Sequence, residues 1–103
     1  MLTKYRVWLF FTAAGMCLLA NGSFAYTGQE LASKAKITID EARAIALKAS
    51  PGTITDEELE KEKGGSGLRF SFDVKTGNVT YEVGVDAQSG KVLENSKEGR
   101  HPD

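Results

Sequence analysis

The side chains best equipped for chemistry in this chain are carboxylates, and their densest run is Asp56-Glu57-Glu58-Leu59-Glu60-Lys61-Glu62-Lys63. Such a run can gather a divalent cation when its oxygens converge. Lys61 interrupts it and Lys63 follows it, which favours a solvated strand face over a metal patch. Asp86, Gln88 and Ser89 imitate part of a calcium loop. They lack the spaced Asp or Asn ligands and the closing Glu of an EF-hand. The same Asp-x-x-Ser/Thr-Gly form recurs from Asp73 to Gly77. A turn explains both copies: the Asp accepts a local backbone bond and the Gly takes positive φ.

Catalytic sets are missing from the sequence. His101 is the single histidine, and it stands beside Pro102 near the chain end, where a solvated tail residue is expected. There is no His-Glu-x-x-His helix for a zinc protease and no glycine-flanked serine elbow. Gly64-Gly65-Ser66-Gly67 lacks the lysine and the strand-loop-helix setting of a phosphate loop. The expectation is therefore a chain that is not an enzyme, with no metal and no cofactor of its own.

The start of the chain has a different task. Lys4 and Arg6 precede an uncharged run from Val7 to Ala20, and Ser23-Phe24-Ala25 supplies small residues before a cut. Basic start, apolar run and small-x-small site mark residues 1–25 as a secretory signal peptide. The run is shorter than the ~20 residues that cross a bilayer. The expected product begins at Tyr26, is periplasmic or secreted, and keeps no stable membrane anchor. Cys17, the only cysteine, leaves with the signal, so no disulfide can form. Removing Lys4 and Arg6 from 13 basic residues leaves 11 against 14 acidic ones, a net charge of −3. Nucleic acid is excluded as a partner on that balance. One small domain remains, and its modest core leaves room for a protein partner or weak self-association.

Hydrophobic periodicity lays out that domain. Tyr26 to Lys36 is polar apart from Leu31 and several Ala, and reads as a leader. Thr38-Ile39-Asp40-Glu41 has the form of a capping box. Ile39, Ala42, Ile45, Ala46 and Ala49 then fall on one helical face, until Pro51 stops the helix. Leu47 falls on the polar side of that helix. Two period-two strands follow: Leu68, Phe70, Phe72 and Val74, then Val79, Tyr81, Val83 and Val85. Arg69, Ser71, Asp73, Lys75, Thr80 and Glu82 alternate with them as a water-facing side. Lys91 to Glu94 makes a last short strand, and residues 95–103 read as a disordered tail. Asp56 to Lys63 is ambiguous: its residues favour helix by propensity, but Ile54 and Leu59 are too few for a helical face.

These pieces in this order resemble the PepSY domain: Ile37-Thr38-Ile39-Asp40-Glu41-Ala42, then Ala49-Ser50-Pro51-Gly52-Thr53, the acidic run, Tyr81-Glu82-Val83, and Val85-Asp86-Ala87-Gln88-Ser89-Gly90-Lys91-Val92-Leu93. PepSY is a small extracytoplasmic module of thermolysin-type metalloprotease propeptides and bacterial envelope proteins. The resemblance covers residues 37–94. It implies a strand for Asp56 to Lys63, with a bulge absorbing the parity break between Ile54 and Leu59. The fold class expected is α+β, one helix packed on a four-stranded antiparallel β-meander. The function implied is a non-catalytic module that binds a protein partner of the envelope, a metalloprotease among them, and inhibits or regulates it. The alternative is a passive or sensory envelope protein that binds a ligand or a membrane-protein ectodomain. The contacts put forward for a partner are a sheet edge and Leu47, Glu58 and Glu60.

Overall fold

The capping box forms as the sequence implies. Glu41 N donates to Thr38 Oγ1 at 3.1 Å, and Thr38 N donates to Glu41 Oε1 at 2.9 Å. Two of the helix's orphan donors are thereby satisfied; losing such a cap typically costs about 1 kcal/mol. Helix α1 spans Ile39–Ala49, with Ser50 as C-cap. The computed structural model describes residues 25–99. The expected signal peptide of residues 1–25 (save Ala25), His101 and the end of the tail lie outside the described residues.

Four strands follow: β1 (Thr53–Lys61), β2 (Leu68–Thr76), β3 (Val79–Asp86) and β4 (Val92–Lys97). They form one antiparallel sheet in the order β1-β2-β3-β4. The fold is α+β, with the helix on one face of the meander. Asp56 to Lys61 is strand, not helix. Pairing with β2 decides this, because it seats Leu59 opposite Phe70. The register shifts between Ile54 and Asp56. This bulge lets both Ile54 and Leu59 face the helix despite their odd separation.

The core lies between α1 and the sheet. Ala42 and Ala46 meet Leu59, Phe70, Phe72, Val74, Val83 and Val85, all at most 2% exposed. Small alanines let the helix axis approach the sheet, and the aromatic rings fill the rest. At the helix C-terminus, Asn95 Nδ2 donates to Ala49 O, tying β4 to α1.

Several expectations need correction. Residues 26–36 are more than a leader. They contain a 3-10 helix, Gln29–Lys34, and Tyr26, Leu31 and Ala35 pack against the core. Thr27 forms a parallel bridge with Glu58, and Leu59 N donates to Thr27 O at 2.8 Å. Gly28, at φ 86, has no room for a Cβ against the Leu59 carbonyl. Scattered apolar residues hid this docking, which uses backbone bonds and one aromatic ring. The last strand does not end at Glu94. It reaches Lys97, and Glu98 N still donates to Thr80 O at 2.7 Å. Polar composition concealed this strand because its pairing is through the backbone. Asp73 is not a turn residue: the ladder carries it through β2, and the chain reverses at Gly77-Asn78 between Thr76 and Val79.

Asp86 does form the expected turn, and more. Its Oδ2 accepts from Gln88 N, Ser89 N and Ser89 Oγ. Its Oδ1 accepts Ser66 N at 2.7 Å and Ser66 Oγ at 2.8 Å. One carboxylate, 2% exposed, therefore pins the β1–β2 loop to the β3–β4 loop. A Cβ on Gly65 would collide with Oδ1. Burial pushes the Asp86 carboxyl up, but the backbone and hydroxyl bonds from Ser66 and Ser89 outweigh burial and hold it far below the usual range.

Candidate functional site

The sheet face opposite α1 carries no second layer among the described residues. Strand alternation decides which acidic residues reach it. Glu57 shares parity with Leu59 and turns inward, where Arg43 grips it: Nε to Oε1 at 2.8 Å and Nη2 to Oε2 at 2.9 Å. Arg43 also meets Asp40 at 2.6 Å. The Glu57 hydrogen bond is the main cause of its raised pKa. Glu57 is thus structural, joining helix to sheet.

Asp56, Glu58 and Glu60 turn outward. The register sets Asp56 opposite Asp73, and Asp73 opposite Glu82, so three carboxylates cross three strands in one row. Like charges placed directly opposite destabilise a sheet. Glu58 stands opposite Ser71, and Glu60 Oε2 accepts from Ser71 Oγ at 2.7 Å. With Glu62 and Glu94 these side chains line a shallow groove of about 240 Å3. Burial, then Glu60, Asp56 and Asp73, push the Glu58 carboxyl up from its ordinary value. Burial, Glu98 and Asp56 do the same to Asp73.

The cation expected to meet water on this side does not. Arg69 is 9% exposed. It lies over Gly84, where Nη2 donates to Lys63 O at 3.0 Å and Nη1 to Glu94 at 3.3 Å. Its Nε has no hydrogen-bond partner. The missing side chain at Gly84 makes the space that draws Arg69 down, so its charge serves one rim of the face, at Glu94.

The candidate residues divide. Glu58 and Glu60 come together on the acidic face. Leu47 lies on the other side of the sheet, half-buried and packed against the core, which gives it a packing role. Sequence reasoning missed the alignment of Asp56, Asp73 and Glu82. Strand alternation put each on a polar side, but their juxtaposition depends on a register that the bulge shifts. Among the described residues no three His, Cys, Asp or Glu side chains are arranged to hold a metal ion. Among them, too, no helix is long and apolar enough to cross a membrane.

The two sheet edges also differ. That of β1 is blocked near its middle by Thr27. Among the described residues nothing pairs with the outer side of β4. Beside β4 lies a mainly apolar groove of about 370 Å3, bounded by Ala49, Pro51, Thr76, Tyr81 and Asn95.

Residues 36–95 match the PepSY family, described as "Peptidase propeptide and YPEB domain". That span is more than half of the chain. The chain is also 32% identical over 65 residues to YkoJ, an uncharacterized protein of Bacillus subtilis (strain 168). The alignment covers 63% of this chain and 38% of YkoJ, so the chain spans well under half of that relative's length. No solved structure matches the chain.

Proposed function

The chain belongs to the PepSY family, and from that premise we propose that it is a non-catalytic, extracytoplasmic module that binds and restrains a peptidase of the cell envelope. The observation that carries this reading is the acidic sheet face, where the register sets Asp56, Asp73 and Glu82 in one row. A small domain has only a few kcal/mol of net stability. A face of opposed carboxylates reduces it, and a cationic partner surface recovers what repulsion costs. Restraint would act by occlusion: the folded domain covers the approach to the peptidase site. Glu58 and Glu60 are the contacts put forward, with Leu47 supporting the helix behind them.

Export is part of the proposal. The protein recovered from outside the cytoplasm is expected to begin at Tyr26 by mass spectrometry. An intact Met1 in the membrane fraction overturns the signal-peptide reading.

The binding test titrates the exported protein against secreted metalloproteases of the same organism. Residual activity is expected to fall with added protein. Glu58→Lys with Glu60→Lys is expected to weaken the complex at least about tenfold, with an unchanged circular dichroism spectrum. Raising salt well above ~0.1 M should weaken the wild-type complex too, since exposed charges are screened. Protease activity unaffected by a large molar excess removes the inhibitor reading and leaves a passive or sensory envelope role.

A further inference from the structure

We propose that the outer edge of β4 accepts an extended peptide of alternating basic and apolar residues as a fifth strand. This rests on the protein-binding reading above and names the chemistry of the partner segment. The backbone supplies the first argument. Glu98 N donates inward to Thr80 O, and bonding alternates along an antiparallel ladder. Glu94 and Ser96 therefore bond inward to β3, while Asn95 and Lys97 turn their N–H and C=O groups outward. Both are exposed. That is the template on which strand addition works.

Side chains supply the second argument. Residues of an added strand that lie opposite Glu94 and Ser96 share the acidic face, next to Glu82, the cross-strand neighbour of Ser96. Basic side chains match that potential. Residues opposite Asn95 and Lys97 point to the helix side, where the groove between Pro51 and Tyr81 begins at Asn95. Apolar side chains fit there. A strand presents its side chains to opposite faces in turn, so one peptide meets both surfaces only if its residues alternate. A second copy of this chain is the poorer occupant: pairing β4 with β4 about a two-fold axis normal to the sheet sets two acidic faces side by side.

The probe is a blocked heptapeptide alternating lysine with valine and phenylalanine, titrated into the 15N-labelled exported protein. Saturable amide shifts are expected from Glu94 to Lys97. N-methylation of the peptide amides that face β4 should weaken binding at least about tenfold. Lys97→Pro should do the same, because it removes an outward N–H and leaves the inward ladder intact. It also removes a positive charge, so electrostatics alone would strengthen binding of a basic peptide. Thermal unfolding confirms that the variant folds. No shifts, or equal affinity for the N-methylated peptide or for the Lys97→Pro variant, overturns the proposal, as does equal affinity for a peptide with glutamate in place of lysine. Concentration-dependent dimers that the peptide dissociates would make a second copy the occupant, and also overturn it. Glu58→Lys with Glu60→Lys lies toward the other edge and should weaken the peptide less than about threefold. Peptide binding retained without protease restraint therefore sinks the functional reading alone. Protease restraint retained by Lys97→Pro, with no peptide binding by the wild type, sinks the edge alone.

Discussion

Phe70→Ala is expected to lower the unfolding free energy by about 3–5 kcal/mol. Phe70 is 1% exposed and stands between Leu59 and Val85 in the sheet. Its ring lies 6.4 Å from that of Phe72 and 6.4 Å from that of Tyr26. Truncation would leave a cavity under α1 and take away the surface on which Tyr26 docks. A domain of this size has total stability of the same order, so the alanine variant can be unfolded at ambient temperature. Phe70→Leu keeps most of the volume and should remain folded, at a cost of about 1–2 kcal/mol. Urea denaturation followed by circular dichroism measures both. A loss below about 1 kcal/mol for the alanine variant would place Phe70 outside the core and contradict the strand parity.

Asp86→Ala is expected to cost about 3 kcal/mol or more, since hydrogen bonds to a buried charge are each worth about 1.5–3 kcal/mol. The loss reaches two loops at once, because Ser66 and Ser89 both donate to this carboxylate. The folded pKa of Asp86 lies below its unfolded value. Its contribution is therefore complete above the unfolded value, ~3.9, and is lost as the pH falls through and beyond it. Glu58 and Asp73 act with the opposite sign. Their folded pKa values are raised, so protonation favours the folded state and stability rises as the pH drops through those raised values. The combination predicts a stability maximum in mild acid and a decline below it. In Asp86→Asn the acid decline should flatten while the rise remains. Melting temperatures across the acid range report both limbs, and an unchanged decline in Asp86→Asn would falsify the assignment to Asp86.

Much of the fold was legible because two rules act locally. Thr38 with Glu41, the alanine-rich face ending at Pro51, and the alternation through Phe70 and Val83 each carry a period or a cap that needs no partner. For Asp56 to Lys61 local preference pointed to helix, and pairing of Leu59 with Phe70 overruled it; only the family resemblance carried that information. The β4 extension and the docking of Tyr26 to Gly28 were hidden because backbone bonds leave little mark on side-chain pattern. For the site, the outward acidic side chains were visible singly. Two things were not: the Asp56-Asp73-Glu82 row, set by a shifted register, and the descent of Arg69, which depends on the empty space over Gly84.

The clamp of Thr27 on β1 has a consequence for how copies of this protein can assemble. A sheet that grows without limit needs two open edges, one to receive and one to offer. Here part of the β1 edge is taken by the chain's own backbone, through the Leu59 N to Thr27 O bond. The edge pairing between copies that avoids this contact is β4 against β4, which is an isologous contact. Such a contact closes at two molecules and exposes no further edge. The few residues from Tyr26 to Gly28 thus work against open-ended growth, disfavouring edge-to-edge association beyond a dimer.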